Sequence, residues 1–163
     1  MNPRSLLVVT AGGAILADQV TKAVALAKLD DGRTHPVIDG VLHWTLQRNP
    51  GAAFGIFRRA PVLFTVIAIV IVIAIVVSAP RVRDTLNGLA LGLVLGGALG
   101  NLADRLFRPP GPFRGRVIDF IDLRVWPTFN VADMAVVFGA ILLAFTAFRS
   151  DRAAKTPPDT AAT

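Results

Sequence analysis

Cysteine and glutamate are absent from this 163-residue chain, and serine and histidine are scarce. Without cysteine, the chain excludes thiol catalysis, disulfides, cysteine-bound metals and lipid attached to a cysteine of its own. The serines lie at the ends of apolar runs, away from both histidines; they are Ser5, Ser78 and Ser150. A Ser–His–Asp site is therefore not expected. If the chain is a hydrolase, aspartate must do the chemistry.

The composition predicts an integral membrane protein with a mainly α fold. Hydrophobic residues make up 53% of the chain, above the ~45–50% that is usual for soluble domains. Several uncharged runs approach the ~20 residues that cross a bilayer. We expect one membrane-embedded domain, 1–148, and a polar, disordered tail, 149–163. The predicted transmembrane helices are 5–27, 61–79, 86–103 and 131–148.

The net charge of +6 raises the question of an anionic partner. The basic residues lie between apolar runs, so membrane lipids are the expected partner and nucleic acid is not. His35 and His43 are eight residues apart with no third ligand at metal spacing, so we expect surface histidines, no metal and no cofactor.

The first apolar run contains three polar residues. Ala25-Leu26-Ala27 resembles a signal-peptide cleavage site, but Asp18, Gln19 and Lys22 interrupt the run, which favours a retained helix. Asp18 and Lys22 are four residues apart and can pair on one helix face. Two interpretations stay open: an ion pair with Lys22 reaching towards the headgroups, or a brace for a polar site within the bundle.

Residues 28–60 predict a small β ribbon on the membrane surface. Asp39-Gly40 is a hairpin signal, and residues 41–47 alternate apolar and polar side chains, with Trp44 at headgroup depth. The following segment, 49–55, is rich in small residues and is interpreted either as a turn or as a binding loop.

The second and third spans are predicted to be mainly structural. Residues 61–79 contain no charge and place nothing polar inward. The third span has a glycine every four residues from Gly88 to Gly100, which lets a neighbouring helix pack closely. Asn101, Asp104 and Arg105 follow on one face, and an Asp104–Arg105 pair is expected to support later aspartates.

Residues 100–133 contain four of the chain's aspartates and are flanked by apolar segments. Ionised carboxylates are costly at the edge of hydrocarbon, so a functional use is expected. The rest of the chain is interpreted as a frame that brings Asp119 and Asp133 together. Residues 104–130 are expected to form a short loop or helix. Asp133 and Asn130 lie three apart on one face, although Asp133 could simply complement the positive end of the last helix.

Four spans place both termini on one side of the membrane and segments 28–60 and 104–130 on the other. Those two segments hold ten Lys/Arg, against six in the N-terminus, the 80–85 turn and the tail. Counted alone, these charges favour a cytoplasmic location for the motifs.

Five motifs, in order, resemble the lipoprotein signal peptidases (signal peptidase II) over residues 10–148. They are Asp18-Gln19-Val20-Thr21-Lys22, Asn49-Pro50-Gly51-Ala52-Ala53-Phe54, Gly100-Asn101-Leu102-Ala103-Asp104-Arg105, Val117-Ile118-Asp119-Phe120 and Phe129-Asn130-Val131-Ala132-Asp133. The resemblance implies an intramembrane aspartic endopeptidase that needs no cofactor. Its substrates would be prolipoproteins whose cysteine already bears diacylglycerol, cut just before that cysteine.

The resemblance also implies residue roles, a location and an orientation. Asp119 and Asp133 would be the catalytic pair. The positions that shape the site or hold substrate would be Asp18, Lys22, Asn49, Gly51, Asn101, Asp104, Arg105 and Asn130. The enzyme would lie in the bacterial inner membrane with its active site on the extracytoplasmic side and both termini in the cytoplasm, and a monomer is expected.

Peptide hydrolysis by two carboxylates needs one ionised and one protonated, and a shared apolar site separates their pKa values. Asp119 and Asp133 would be roughly 21 Å apart on one straight helix, so the Trp126-Pro127 break must fold one towards the other. Which carboxyl holds the shared proton is not assigned.

Two other classes of function fit parts of the sequence. A proton channel or transporter would need a polar relay across the bilayer. Here the polar groups cluster at one boundary, and residues 61–79 contain no charged residue. A lipid-binding or assembly protein would fit the basic loops and the glycine stripe, and would tolerate Asp119→Asn.

Overall fold

The computed structural model describes residues 1–51 and 61–155. Its helices are α1 (Pro3–Leu29), α2 (Pro61–Ser78), α3 (Thr85–Phe107) and α4 (Val131–Lys155), and a short 3-10 turn, Ala79–Arg81, follows α2. Its strands are β1 (Thr34–Ile38), β2 (Leu42–Asn49) and β3 (Val117–Asp122).

All four predicted spans are confirmed as helices long and apolar enough to cross a membrane. Large apolar side chains point outward along them; on α2, Val66, Val70, Ile73 and Val77 are exposed. Such a surface is stable in lipid but not in water. The chain is therefore a multi-pass membrane protein.

Helix α3 is the centre of the bundle, because its glycines admit neighbouring backbones on two sides. A Cβ atom at Gly92 would lie 2.7 Å from the Leu7 carbonyl oxygen of α1, and one at Gly96 would lie 2.7 Å from that of Ala11. The predicted close packing along the glycine stripe is confirmed. On the α4 side, a Cβ atom at Gly97 of α3 would collide with the Ala132 carbonyl oxygen, and Gly139 of α4 packs against Ala90 of α3, which is fully buried.

The β ribbon is confirmed and is larger than predicted. Its strands pair antiparallel in the order β1-β2-β3, and Gly40 takes a positive φ of 73° in the predicted hairpin turn. The third strand corrects the loop or helix expected there. Asp119 and its neighbours gain backbone partners from β2 on one side and from Phe129 on the other, which satisfies polar groups in a buried segment.

Two further expectations differ from the structure. Helix α3 continues four residues past 103, so Asp104 and Arg105 lie in its last turn. Helix α4 continues past 148 to Lys155, into the expected disordered tail; residues 156–163 lie outside the described residues.

The inward face of α2 is not wholly apolar. Thr65 is fully buried, and its hydroxyl donates to the Phe113 carbonyl oxygen at 3.0 Å. The expectation of nothing polar facing inward is therefore wrong at this position. The hydroxyl is tolerated because it is hydrogen-bonded, and the bond attaches α2 to the segment that precedes β3.

Candidate active site

Asp119 lies in β3 with 2% of its surface exposed. Both carboxyl oxygens accept hydrogen bonds from side-chain amides: Oδ1 from Asn130 at 2.6 Å and Oδ2 from Asn49 at 2.9 Å. Burial first, and the nearby negative charge of Asp133 second, raise the pKa of Asp119 to about 7, against the lowering effect of the two amides. This carboxyl therefore changes protonation state near neutral pH.

Asp133 lies in the first turn of α4 and is partly exposed. The Asn130 N–H donates to Asp133 Oδ2 at 3.2 Å, and the Asp133 N–H donates to Asn130 Oδ1 at 3.0 Å. This reciprocal pair is of the capping-box kind, so the alternative role at the helix end is present too. Asp133 also accepts from Asn101 Nδ2 at 2.8 Å through Oδ1, which orients the carboxylate towards the bundle interior.

Asn130 links the two aspartates. It is fully buried and contacts Asp119 through its side chain and Asp133 through its backbone N–H. Trp126 and Pro127 lie in the connection between β3 and α4, where the chain turns back and Phe129 pairs with Ile121. The predicted return of the chain that brings Asp119 towards Asp133 is therefore found.

Lys22 is fully buried and forms the centre of an ionic cluster beneath this pair. Its Nζ lies 2.8 Å from Asp18 Oδ2 and 2.8 Å from Asp104 Oδ2, and it donates to Asn101 Oδ1 at 3.0 Å. Asp18 in turn accepts from the Ala132 N–H at the start of α4, at 3.0 Å. The Asp18–Lys22 ion pair is found, but the fully buried Lys22 does not reach the headgroups, so that part of the first interpretation is wrong and the burial favours a brace within the bundle.

Asp104 and Arg105 do not form the expected pair. Asp104 pairs with Lys22 and Arg108 and accepts from the Ile118 N–H at 3.2 Å. Consecutive helix residues point about 100° apart, so Arg105 turns elsewhere. Its guanidinium lies over the Phe64 ring, 5.8 Å from the centroid, and its buried Nη1 has no hydrogen-bond partner among the described residues.

Asn49 and Gly51 form a tight turn at the end of β2. The Gly51 N–H donates to Asn49 Oδ1 at 2.8 Å, and Gly51 has a φ of 108°, which favours glycine. This turn aims the Asn49 amide at Asp119. The rest of the predicted binding loop, residues 52–55, lies outside the described residues.

Sequence reasoning missed two members of the cluster. Gln19 donates to Asp18 Oδ2 and to the Gly100 carbonyl oxygen, each at 3.1 Å, and Arg108 pairs with Asp104. The available signal for Gln19 was an uncharged polar residue within an apolar run. Arg108 lies four residues after Asp104, a spacing at which helical side chains meet.

The histidines lie on the small sheet. His35 is partly exposed and contacts Asp31 at 3.1 Å, and His43 is half-buried in β2. Within residues 1–51 and 61–155, no group of three or more metal-ligating side chains could hold a metal ion.

Comparisons with known proteins identify the family of the chain. Residues 10–149 match the family model for signal peptidase (SPase) II. Similar chains include a lipoprotein signal peptidase of Rhodococcus jostii, 46% identical over 86% of this chain and 71% of the relative. Another is a lipoprotein signal peptidase of Mycobacterium avium, 46% identical over 86% and 79%.

Two solved bacterial membrane enzymes, both determined by the in meso method, share the fold. The first has a TM-score of 0.79 and 32% identity, with 94% of this chain and 93% of that chain covered. The second has a TM-score of 0.73 and 33% identity, with coverage of 86% and 90%. Together with the family match, these similarities show that the chain belongs to the signal peptidase II family, the lipoprotein signal peptidases.

Proposed function

We propose that this peptidase is of the aspartic type, with Asp119 and Asp133 as its catalytic pair. The ionised carboxylate takes a proton from water, whose oxygen attacks the scissile carbonyl carbon. The protonated carboxyl first polarises that carbonyl and then supplies the proton for the departing amine. The peptide C–N bond breaks, and no covalent enzyme intermediate forms.

The observation that supports this proposal most strongly is the position of Asn130. One buried residue contacts both carboxylates, so the two acids face a common space. Their environments differ, because Asp119 is almost completely buried and Asp133 is partly exposed. Different burial separates the affinities of two acids for protons, which is what a pair with one shared proton requires.

The proposed substrate is a diacylglyceryl-modified prolipoprotein, cut immediately before the lipidated cysteine. Arg105, Asn49 and Gly51 would hold the substrate. The buried Nη1 of Arg105 has no hydrogen-bond partner within residues 1–51 and 61–155, and a donor left unpaired there is available to a peptide carbonyl. The remaining residues would shape the site, namely Asp18, Lys22, Asn101, Asp104 and Asn130.

The experiment incubates purified protein in detergent with two forms of one prolipoprotein, with and without the diacylglyceryl group, and determines the product masses. The lipidated form should yield a fragment whose N-terminal residue is the modified cysteine, and the unlipidated form should stay intact. Asp133→Asn is checked for folding by thermal melting. Loss of cleavage in this folded variant shows that the activity belongs to this chain and not to a contaminant. Equal cleavage of both forms would refute the proposed substrate class. A folded protein that cuts neither would favour transport or lipid binding.

The pH dependence of cleavage should show the loss of the shared proton. Because Asp119 has a pKa raised to about 7 by burial, the pair keeps a proton at neutral pH and loses it in more alkaline solution. We expect kcat/KM to fall about tenfold per pH unit above roughly pH 7. The alkaline fall in kcat/KM reports the titration of the two coupled carboxyls together rather than that of one residue. A rate that stays flat from neutral to alkaline pH would contradict the assignment of an acid role to this pair.

We further propose that the sheet and the aspartate pair face the extracytoplasmic side of the bacterial inner membrane, with both termini in the cytoplasm. Since the chain has no cysteine, single cysteines introduced at Asp39 and Arg83 can report the topology. A membrane-impermeant maleimide should label Asp39→Cys in intact spheroplasts and Arg83→Cys only after lysis. The reverse labelling pattern would show the opposite orientation, the cytoplasmic location of the site that the count of Lys and Arg residues favours.

A monomer is the proposed active form. Hydrogen bonds and ion pairs within a single chain are enough to fix the positions of Asp119, Asp133 and the Lys22 cluster. Light scattering of the active detergent-solubilised fraction should give the mass of one chain, and activity confined to a dimer fraction would contradict this.

A further inference from the structure

A cavity of about 470 Å³ lies between the end of α1 and the small sheet. Three arginines surround it: Arg48 from β2, Arg108 from the end of α3, and Arg116 just before β3. Leu26 and Ile118 contribute apolar lining. We call this cavity the arginine pocket.

The arginine pocket and the aspartate pair lie on opposite faces of the sheet. Arg48 and Ile118 are cross-strand partners and both line the pocket. Successive strand residues point to opposite faces, so Asn49 and Asp119, the next residue on each strand, point to the other side and hydrogen-bond to each other. A ligand in the arginine pocket is therefore separated from the carboxylates by the sheet itself.

The depth of the pocket matches the level of the lipid headgroups. The candidate spans of α1 and α3 end at Leu29 and Phe107. Leu26 lies one turn before the first of these ends, and Arg108 directly follows the second. Phe107, the residue before Arg108, is 84% exposed, as suits a residue in contact with acyl chains or headgroups. The ends of these two spans therefore place the pocket at the level expected for the phosphates of a bilayer.

The charge of the pocket fits a phosphate group. Arg48 is paired with Asp30 at 2.7 Å, and Arg108 is paired with Asp104. The Arg116 guanidinium has no ion pair or side-chain hydrogen bond with any residue in the described part of the chain. One positive charge is left over beside two more guanidinium groups, and guanidinium binds phosphate through two parallel hydrogen bonds.

We propose that the arginine pocket binds the phosphodiester of an anionic phospholipid, with Arg116 as its main charged contact and Leu26 and Ile118 against the glycerol and first acyl carbons. Apolar lining beside three arginines suits a lipid better than a free ion. A zwitterionic lipid carries a cation of its own, which the surplus arginine charge repels, so selectivity for an anionic headgroup follows.

The test measures lipid retained by the full-length protein in a neutral detergent, using native mass spectrometry. Phosphatidylglycerol and phosphatidylcholine with identical acyl chains are compared for wild type, Arg116→Gln and the matched control Arg114→Gln. Arg114 is an exposed arginine two residues earlier that does not line the pocket. We expect wild type and Arg114→Gln to prefer phosphatidylglycerol equally, and Arg116→Gln to bind it about fivefold more weakly.

A second variant and a competitor complete the design. Arg116→Lys keeps the charge but loses the two-pronged geometry, so it should fold and lose less affinity than Arg116→Gln. A large excess of inorganic phosphate should displace little phosphatidylglycerol, because inorganic phosphate has no acyl chain to contact the apolar lining of the pocket. Equal retention of both lipids, equal losses in Arg114→Gln and Arg116→Gln, or full displacement by inorganic phosphate would each overturn the proposal.

Discussion

Replacing Asp119 with asparagine is expected to lower the cleavage rate of lipidated prolipoprotein by about 10³-fold while leaving the fold intact. Asparagine has the size of aspartate but can neither hold nor release the shared proton. In the wild type, the carboxyl accepts from Asn49 and Asn130, and the asparagine oxygen can keep one of these bonds. The loss should therefore appear in kcat more than in KM.

Asp122→Asn is the matched control, because Asp122 lies on the same strand and also accepts hydrogen bonds, from Thr45 and from the Arg124 N–H. It should retain wild-type activity. Single-turnover cleavage is measured for both variants alongside their melting temperatures. Full activity in a folded Asp119→Asn protein would remove this residue from the chemistry.

Replacing Lys22 with methionine should destabilise the protein by about 3–5 kcal/mol. The side chain is fully buried, and its Nζ lies 2.8 Å from both Asp18 and Asp104. Methionine fills much of the same space but leaves two buried carboxylates without the cation between them. Asp104 keeps its pair with Arg108, so the loss measures chiefly the unpaired charge of Asp18 rather than the intrinsic strength of the ion pairs. Helices α1 and α3 should separate at lower temperature.

Lys28→Met provides the control, since Lys28 is an exposed residue in the last turn of the same helix. Its removal should cost only a few tenths of a kcal/mol through the helix dipole. Thermal melting in one detergent compares the two variants. If both melt alike, the ionic cluster does not hold the bundle together.

Much of the frame could be predicted from the sequence, because the signals are local. The spacing of four between Asp18 and Lys22 predicts a shared helix face, and the glycines from Gly88 to Gly100 predict a close neighbour. Both are found in α1 and α3. The hairpin at Gly40 likewise follows from a short turn signal.

The features that sequence reasoning missed depend on distant partners. Strand β3 forms because β2, about 70 residues earlier, supplies its hydrogen bonds, and no local pattern shows this. The separation of Asp104 from Arg105 likewise depends on which neighbours each side chain meets, Lys22 for the first and Phe64 for the second. Neighbouring opposite charges in a sequence suggest an ion pair, but the sequence does not show which distant residues each side chain contacts in the fold.

The most direct test of the central claim is whether Asp119 and Asp133 act as one unit. Cleavage rates are measured for Asp119→Asn, Asp133→Asn and the double variant, each confirmed as folded. If the two carboxyls share one proton and one water, the double variant should be no slower than either single variant. A double variant whose loss equals the product of the two single losses would contradict the pair, as would wild-type activity in either single variant.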